Sequence, residues 1–301
     1  MTNELGISRR PLVSIGVPVF NGERFLSRAI TSLLDQTVAD LELIISDNAS
    51  TDGTQSICED FVRRDTRIRY VRQRINIGAP RNWNVVVQAA AGKYFKWASA
   101  SDYCASTMLE SCIQAMESDP GVVLCYGRTQ FVDENDEPME IYAGDVAINE
   151  ERPSERFARV GARTGMNNAQ SGVFLLDALR RTRLDRPYPA GDLALMAEIA
   201  LYGRFQLLPD VLLFRRQSRS TFTSMMTTRE LQRVIDPQAK TPIKLVKTRR
   251  HVDNLISIAR APISAAEKRS AYWAAIRLAR WDRAQLWREF VSLFGGGSAS
   301  T

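Results

Sequence analysis

One histidine, His251, stands in a chain of 301 residues. That excludes a multi-histidine metal centre and argues against Ser-His-Asp or Cys-His catalysis. Cysteine is almost as scarce. Cys58, Cys104, Cys112 and Cys125 form no CxxC pair and are too few for a disulfide framework, so they read as reduced core thiols of a cytoplasmic protein. No apolar run reaches the roughly 18 residues of a membrane span. Met1 to Arg10 lacks the apolar stretch of a secretory signal. There is no GxGxxG turn and no GxxxxGK[ST] loop, which argues against the two commonest nucleotide cradles. Chemistry in this chain has to rest on carboxylates, backbone amides and basic side chains.

What is present describes a folded globular protein. With 45% hydrophobic residues and a net charge of only +6, disorder is excluded as the main state. The charge is uneven. Residues 229–289 carry 14 Lys/Arg against 6 Asp/Glu, so the rest of the chain is slightly acidic. A Ser/Thr/Arg/Met stretch at Gln217 to Thr228 marks the change of composition. The expectation is a catalytic domain over 1–220 and a basic helical segment over 221–301, ending in a mobile Gly/Ser tail from Gly295.

The first hundred residues alternate strand and helix. Leu12–Val19, Leu41–Ser46, Ile68–Val71 and Tyr94–Ala98 are short, mostly apolar runs suited to buried parallel strands. Between the first two, Glu23–Gln36 places Phe25, Leu26, Ala29, Ile30, Leu33 and Leu34 on one helical face. Asp52 and Gln55 are spaced as a capping box, and Pro80 suits a first helical turn. Strands separated by helices of about a dozen residues predict βαβ units and a mostly parallel α/β sheet. Ligands of such sheets lie at the carboxyl ends of the strands.

Those ends hold Pro18-Val19-Phe20-Asn21-Gly22, Asp47-Asn48-Ala49-Ser50-Thr51-Asp52-Gly53-Thr54, Asn76-Ile77-Gly78-Ala79-Pro80-Arg81-Asn82 and Ser99-Ala100-Ser101-Asp102. Each set taken singly is also what turns and helix caps use. Four in succession point to a polar crevice. Asp47 could take a base N–H, and the helix starts at Asp52 and Pro80 could face phosphates.

With VSIGVPVFNGERFL, LELIISDNASTDGT, NIGAPRN and KYFKWASASD in these places, the chain resembles the inverting family 2 glycosyltransferases of GT-A fold, from about Leu12 to Phe214. The resemblance implies that Pro18, Phe20 and Asn21 line base and ribose, that Asp47 meets the base, typically uracil, and that Asn76, Gly78, Arg81 and Asn82 flank the nucleotide. The end of the fourth strand normally carries an Asp-rich metal motif. Here Ser101 replaces one carboxylate, so Asp102 alone would hold Mg2+ or Mn2+, weakly, with water and the diphosphate completing the shell. Asp102 could instead cap a helix over Ser106–Met116.

Tyr188-Pro189-Ala190-Gly191-Asp192 and the helix after it resemble the family's acceptor side. There Asp192 matches the catalytic base, Gly191 stands where a Glu is usual, and Glu198 is a weaker second candidate. The alternative for Asp192 is a helix cap. Ser218 occupies a position where the family often has histidine. The expected activity is transfer of a sugar from a nucleotide-sugar, a UDP-sugar first, to a glycan or lipid-linked acceptor in surface polysaccharide or glycolipid assembly. The setting would be cytoplasmic, at the inner membrane face. A nucleotidyltransferase and a non-catalytic nucleotide-sugar-binding member are the rivals. Beyond Thr228, two or three helices carry Lys240, Lys244, Lys247, Arg249 and Arg250, then Trp273, Trp281, Trp287 and Phe290 among arginines. These suit an anionic membrane surface, a cap on the catalytic domain or a homo-oligomer interface. No nucleic-acid recognition motif is visible.

Overall fold

The computed structural model describes residues 10–162, 165–217 and 226–294. Ser218 and the Gly/Ser tail therefore lie outside the described residues. Four strands, β1 (Val13–Val19), β2 (Leu41–Asp47), β3 (Ile68–Arg72) and β4 (Tyr94–Trp97), run parallel in the order β3-β2-β1-β4. The sheet then continues through β8 (Val173–Leu175), β6 (Val122–Val132), β9 (Arg204–Arg216) and β5 (Tyr103–Cys104), with β7 (Pro138–Ile141) paired to β6. The short β8 runs antiparallel to both β4 and β6, whereas β6 and β9 are parallel. This is the expected mixed α/β sheet, mostly parallel in its paired residues.

Both faces are covered at the central strands β1, β2 and β4, which is why these read as nearly unbroken apolar runs. On one face, Val13, Ile15, Val17, Leu43 and Ile45 pack against α1 (Leu26–Leu34), α2 (Thr54–Arg64) and α4 (Met108–Ser118). On the other, Ile44, Phe95, Trp97 and Phe174 pack against α3 (Ala79–Ala89), α5 (Pro153–Gly161), α6 (Leu176–Arg181) and α7 (Gly191–Ile199). Gly16 permits this closeness, because a Cβ there would lie 2.5 Å from Val86 Cγ2. Pro18 is tolerated in an inner strand because the β1–β4 ladder ends at Gly16, two residues earlier.

Several boundaries differ from expectation for identifiable reasons. α1 starts at Leu26 rather than Glu23, because Glu23 reaches across to accept the Gly53 N–H. Asp52 makes no capping box with Gln55. Its carboxylate accepts the N–H groups of Glu23 and Thr54, and Gly53 is the residue before α2. Among the described residues the C-terminal region forms four helices: α8 (Thr228–Ile235), α9 (Val246–Arg260), α10 (Ala265–Trp281) and α11 (Arg283–Phe294). Pro237 follows the end of α8, and Asp282 separates α10 from α11. Ile258, Ala271, Ala274, Ala275 and Leu278 from α9 and α10 join the same buried cluster as Trp97 and Phe174. These helices therefore share a core with the sheet.

Candidate active site

The loops that follow β1, β2 and β3 are laced to each other by their own polar side chains. Asn21, at φ 52°, accepts the Thr51 N–H at 2.8 Å, and its own N–H donates to Ser50 Oγ at 2.9 Å. The Gly22 N–H donates to Thr54 Oγ1 at 2.8 Å. Asn48 donates to Asn76 Oδ1 and accepts from the Ile77 N–H, both at 2.8 Å. Asn76 Oδ1 also takes the Gly78 N–H. Asn82 is buried at the start of α3, bonded to Ser46 through both its amide oxygen and nitrogen.

Asp47 is the centre of this lacing. Its side chain is fully buried. Oδ1 accepts the Ser50 N–H at 2.8 Å, and Oδ2 accepts the Tyr70 hydroxyl at 2.7 Å and Arg72 Nη1 at 2.5 Å. Burial works against ionisation, but these donors outweigh it and hold the carboxyl below its ordinary range. Asp47, expected to offer an oxygen to a base, turns inward here, because Arg72 on the neighbouring strand provides a cation within the sheet. Phe20, by contrast, leaves about half its surface in solvent at the mouth of the same loops.

The end of β4 and the start of α7 behave differently. Ser99, Ser101 and Asp102 face Asp192, Asn167, Gln170, Trp83, Arg215 and Arg216 around one cavity of about 700 Å3. Asp102 does not cap α4, which begins at Met108 behind Thr107. Its Oδ1 accepts the backbone N–H of Arg216 and the Ser101 hydroxyl, each at 3.1 Å. Oδ2 takes no hydrogen bond from the described residues. Burial raises the Asp102 pKa, opposed by the charges of Arg215 and of the buried Lys96. Arg215 is fixed by donating to Asn168 Oδ1 at 2.6 Å. Arg216 is locked by the Ser101 and Asp133 carbonyls, by Asp136 and by the Phe25 ring at 4.2 Å. The free Oδ2 beside two serine hydroxyls suits one edge of a hard cation's shell. No cluster of three or more His, Cys, Asp or Glu exists among the described residues, so the remaining ligands would be phosphate oxygens and water.

Asp192 sits in the first turn of α7. The residue before that helix is Ala190, held at φ 62°, and no side chain caps the helix. Asp192 is therefore not a cap. Its Oδ2 accepts Asn167 Nδ2 at 3.0 Å. Ala190 is in a costly backbone region for a residue with a Cβ, as occurs where a loop is over-determined near a functional group. A Cβ on Gly191 would come within 2.2 Å of the Arg186 carbonyl and 2.8 Å of Asp185 Oδ1. The glutamate expected at 191 is thus sterically excluded, and the Asp185 carboxylate lies where it would begin. Burial and the charge of Asp192 push Asp185 up to about 8. Glu198, the second candidate, is buried on the far side of α7, where it accepts the Arg183 N–H at 3.0 Å and does not line the cavity. It lies apart from the cavity that Asp192 lines.

A second cavity of about 350 Å3 adjoins the first, sharing Trp83, Gln170, Ala190 and Asp192. Its remaining wall includes Pro80, Tyr188 and, from α8, Leu231, Val234 and Ile235. α8 reaches this place because the turn after it grips the Asn76–Arg81 loop. Arg81 Nη1 lies 3.1 Å from Asp236 Oδ1, and Ile235 O lies 2.2 Å from where a Gly78 Cβ would be. At Gly78, φ 86° and this contact together require glycine.

Of the expected residues, Ser101, Asp102 and Asp192 are brought to one cavity. Pro18, Asn21, Asp47, Asn76 and Asn82 build the loops beside it, and Arg81 and Gly78 are covered by the α8 turn. Asn167, Trp83 and Arg215 went unassigned. They come from separate elements, and only the paired arginines at 215 and 216, ending a strand, offered a signal.

The mostly parallel mixed α/β sheet, with a polar crevice at its parallel strand ends, defines a GT-A-like fold. Residues 14–178 match the family described as Glycosyl transferase family 2, and the chain belongs to that family. It is 38% identical over 109 residues to the uncharacterized glycosyltransferase EpsJ of Bacillus subtilis, covering 36% of this chain and 31% of that protein. It is 31% identical over 132 residues to the glycosyltransferase GlyG of Streptococcus pneumoniae, covering 44% and 43%. The matches thus span less than half the length of these relatives. Among solved structures, residues 1–349 of TarS from S. aureus in complex with UDP-GlcNAc superpose with a TM-score of 0.62 at 15% identity, covering 90% of this chain and 74% of that one. The mannosyltransferase PcManGT of Pyrobaculum calidifontis, in complex with GDP-Man and Mn2+, gives 0.55 at 16% identity, covering 97% and 77%. Both show the fold.

Proposed function

We propose that the protein transfers a sugar from a nucleotide-sugar to an acceptor hydroxyl with inversion, in the assembly of a surface polysaccharide or glycolipid. The observation that carries this reading is the facing of Asp102 and Asp192 across one cavity at the strand ends. The donor's nucleotide lies over the loops after β1 to β3, with Phe20 as the exposed face for base or ribose. Its diphosphate lies by Ser101, Asp102 and Arg215. A divalent cation bound between Asp102 and the diphosphate would supply further positive charge to the leaving group. The acceptor enters past Trp83 and Tyr188. Asp192 takes the acceptor proton as the oxygen bonds to the anomeric carbon and the bond to the diphosphate breaks, and Arg215 stabilises the departing charge. Asn167 orients the Asp192 carboxylate. One displacement inverts the configuration.

A UDP-sugar is the first donor to try, since TarS binds UDP and UDP-GlcNAc. The test is a panel of nucleotide-sugars scored by thermal shift with Mg2+ or Mn2+, followed by donor hydrolysis and transfer assays. A stabilising donor that the wild type consumes and Asp192→Asn binds but does not consume is the expected result. A panel with no stabilising nucleotide overturns the reading.

A further inference from the structure

Helix α10 buries one face and turns the other outward, and α11 is largely exposed, with Glu289 as its buried contact. On α10, Ala271, Ala274, Ala275 and Leu278 face the core, while Trp273, Ile276 and Trp281 are exposed. On α11, Trp287, Phe290, Val291 and Leu293 are exposed. Trp273, Trp281 and Trp287 leave 66%, 70% and 65% of their surface in solvent, far more than indole side chains of a closed surface need. Positions 273, 276, 277 and 280 recur at helical spacing, as do 283, 287, 290 and 291, so each set forms a stripe on its helix. Arg269, Arg277, Arg280, Arg283 and Arg288 stand exposed in or beside these stripes.

The acids of the same helices are all turned away and engaged. Glu267 accepts from Arg152 and the Ser154 N–H. Asp282 is paired with Lys247, Arg250 and His251. Glu289 is buried, accepting the N–H groups of Lys247 and Thr248. The outward surface is therefore aromatic and cationic with no exposed carboxylate among its described residues, and none of the five arginines is in an ion pair with a described residue.

We propose that this α10–α11 face seats on an anionic phospholipid bilayer, with Trp273, Trp281, Trp287 and Phe290 at headgroup level and the arginines against lipid phosphates. Amphipathic aromatic rings prefer that interfacial depth, and helices of this pattern lie in the membrane plane rather than across it. No helix among the described residues is long and apolar enough to cross a membrane. Charge decides between the possible occupants. A second copy placed on the same face would bring five arginines against five, whereas anionic headgroups complement them. The proposal does not rest on the catalytic reading, and its test uses no sugar.

The test is co-sedimentation of the full-length protein with vesicles of phosphatidylcholine alone or mixed with phosphatidylglycerol, at low and high salt. Indole fluorescence with bromolipid quenchers is read in parallel. Binding to the anionic vesicles only, weakened by salt, with quenched indoles, is expected. Arg277→Glu/Arg280→Glu/Arg283→Glu should weaken binding by roughly 10²-fold, from about fivefold per arginine. Trp273→Ala/Trp281→Ala/Trp287→Ala should abolish quenching. These side chains are exposed, so both variants should keep the wild-type melting temperature, and phosphatidylcholine controls expose any loss of fold. Failure to bind anionic vesicles at low salt overturns the proposal. So does binding that ignores both variants, or a dimer in sedimentation equilibrium that the tryptophan variant dissolves while vesicles are ignored.

Discussion

The two halves of the crevice are built on opposite terms. Around Asp47, Asn48, Asn21 and Asn76, nearly every polar atom is spent on a neighbouring loop, and the carboxylate is neutralised by Arg72. Around Asp102 and Asp192, each carboxylate keeps an oxygen that takes no hydrogen bond from the described residues, and the backbone at Ala190 is strained. A saturated network is rigid and costly to disturb, while a half-buried carboxylate with an unpartnered oxygen is free to take on a new partner. The loops after β1 to β3 are therefore a scaffold of fixed shape, and the cavity side is where uncommitted carboxylate oxygens are held.

Substitutions can break this contrast. Asp192→Asn keeps the size of the side chain and its contact with Asn167 but cannot take a proton. Transfer should fall about 10³-fold with donor affinity unchanged, read as kcat in the transfer assay. Asp47→Ala acts on the scaffold instead. It leaves Arg72 and the Tyr70 hydroxyl without their partner and should cost about 3 kcal/mol of stability, read by denaturant unfolding. An Asp47→Ala protein of wild-type stability would show that the lacing is dispensable. Arg215→Ala should weaken donor binding about tenfold by calorimetry, with little change in melting temperature.

Acidity offers a finer probe. Asp185 is pushed up to about 8 by burial and by Asp192. The folded protein then holds a proton that the unfolded chain has already released above about pH 4. Stability from this group is thus fully present below pH 4 and declines as pH rises through 8. Melting temperature should fall between pH 5 and 8.5 in the wild type, and less steeply in Asp185→Asn. Equal slopes would mean that Asp185 is ionised at neutral pH. The smallest effect belongs to Arg81→Ala. Its exposed pair with Asp236 should contribute below about 1 kcal/mol, so an unfolding shift above that would reveal a larger role for the α8 turn.

Strands β1, β2 and β4 were legible because each is a short run buried on both faces, whereas β3 (Ile68–Arg72), mostly exposed, was legible from the strand–helix alternation; the observed ends of all four fall within about two residues of expectation. The carboxylates of the cavity were legible because Asp102 and Asp192 end or begin regular elements. The long strands β6 and β9 were not, since residues 117–166 offer no motif and their pairing joins distant segments. Nor could the sequence separate Asp47 from Asp102. Asp47 ends β2 and Asp102 follows β4 by five residues, and only the Arg72 of the strand beside Asp47 makes that one a structural ion. The failure of the Asp52–Gln55 spacing has the same origin, a loop-to-loop bond that local pattern does not contain.

The hydrogen bond from the Arg216 N–H to Asp102 spans 114 residues, and that distance governs when the site can exist. The βαβ units of the first hundred residues close short loops, which favours early formation. The corner at Asp102 needs β9 to thread beside β6 and deliver residues 215 and 216 to it, a closure whose entropic cost must be met before any of its contacts form. A growing chain that stops short of β9 therefore carries the laced loops after β1 to β3 but an incomplete corner at Asp102. On the proposed reading, donor binding reports the last stage of folding, and a nucleotide added during refolding should trap molecules only after β9 has docked.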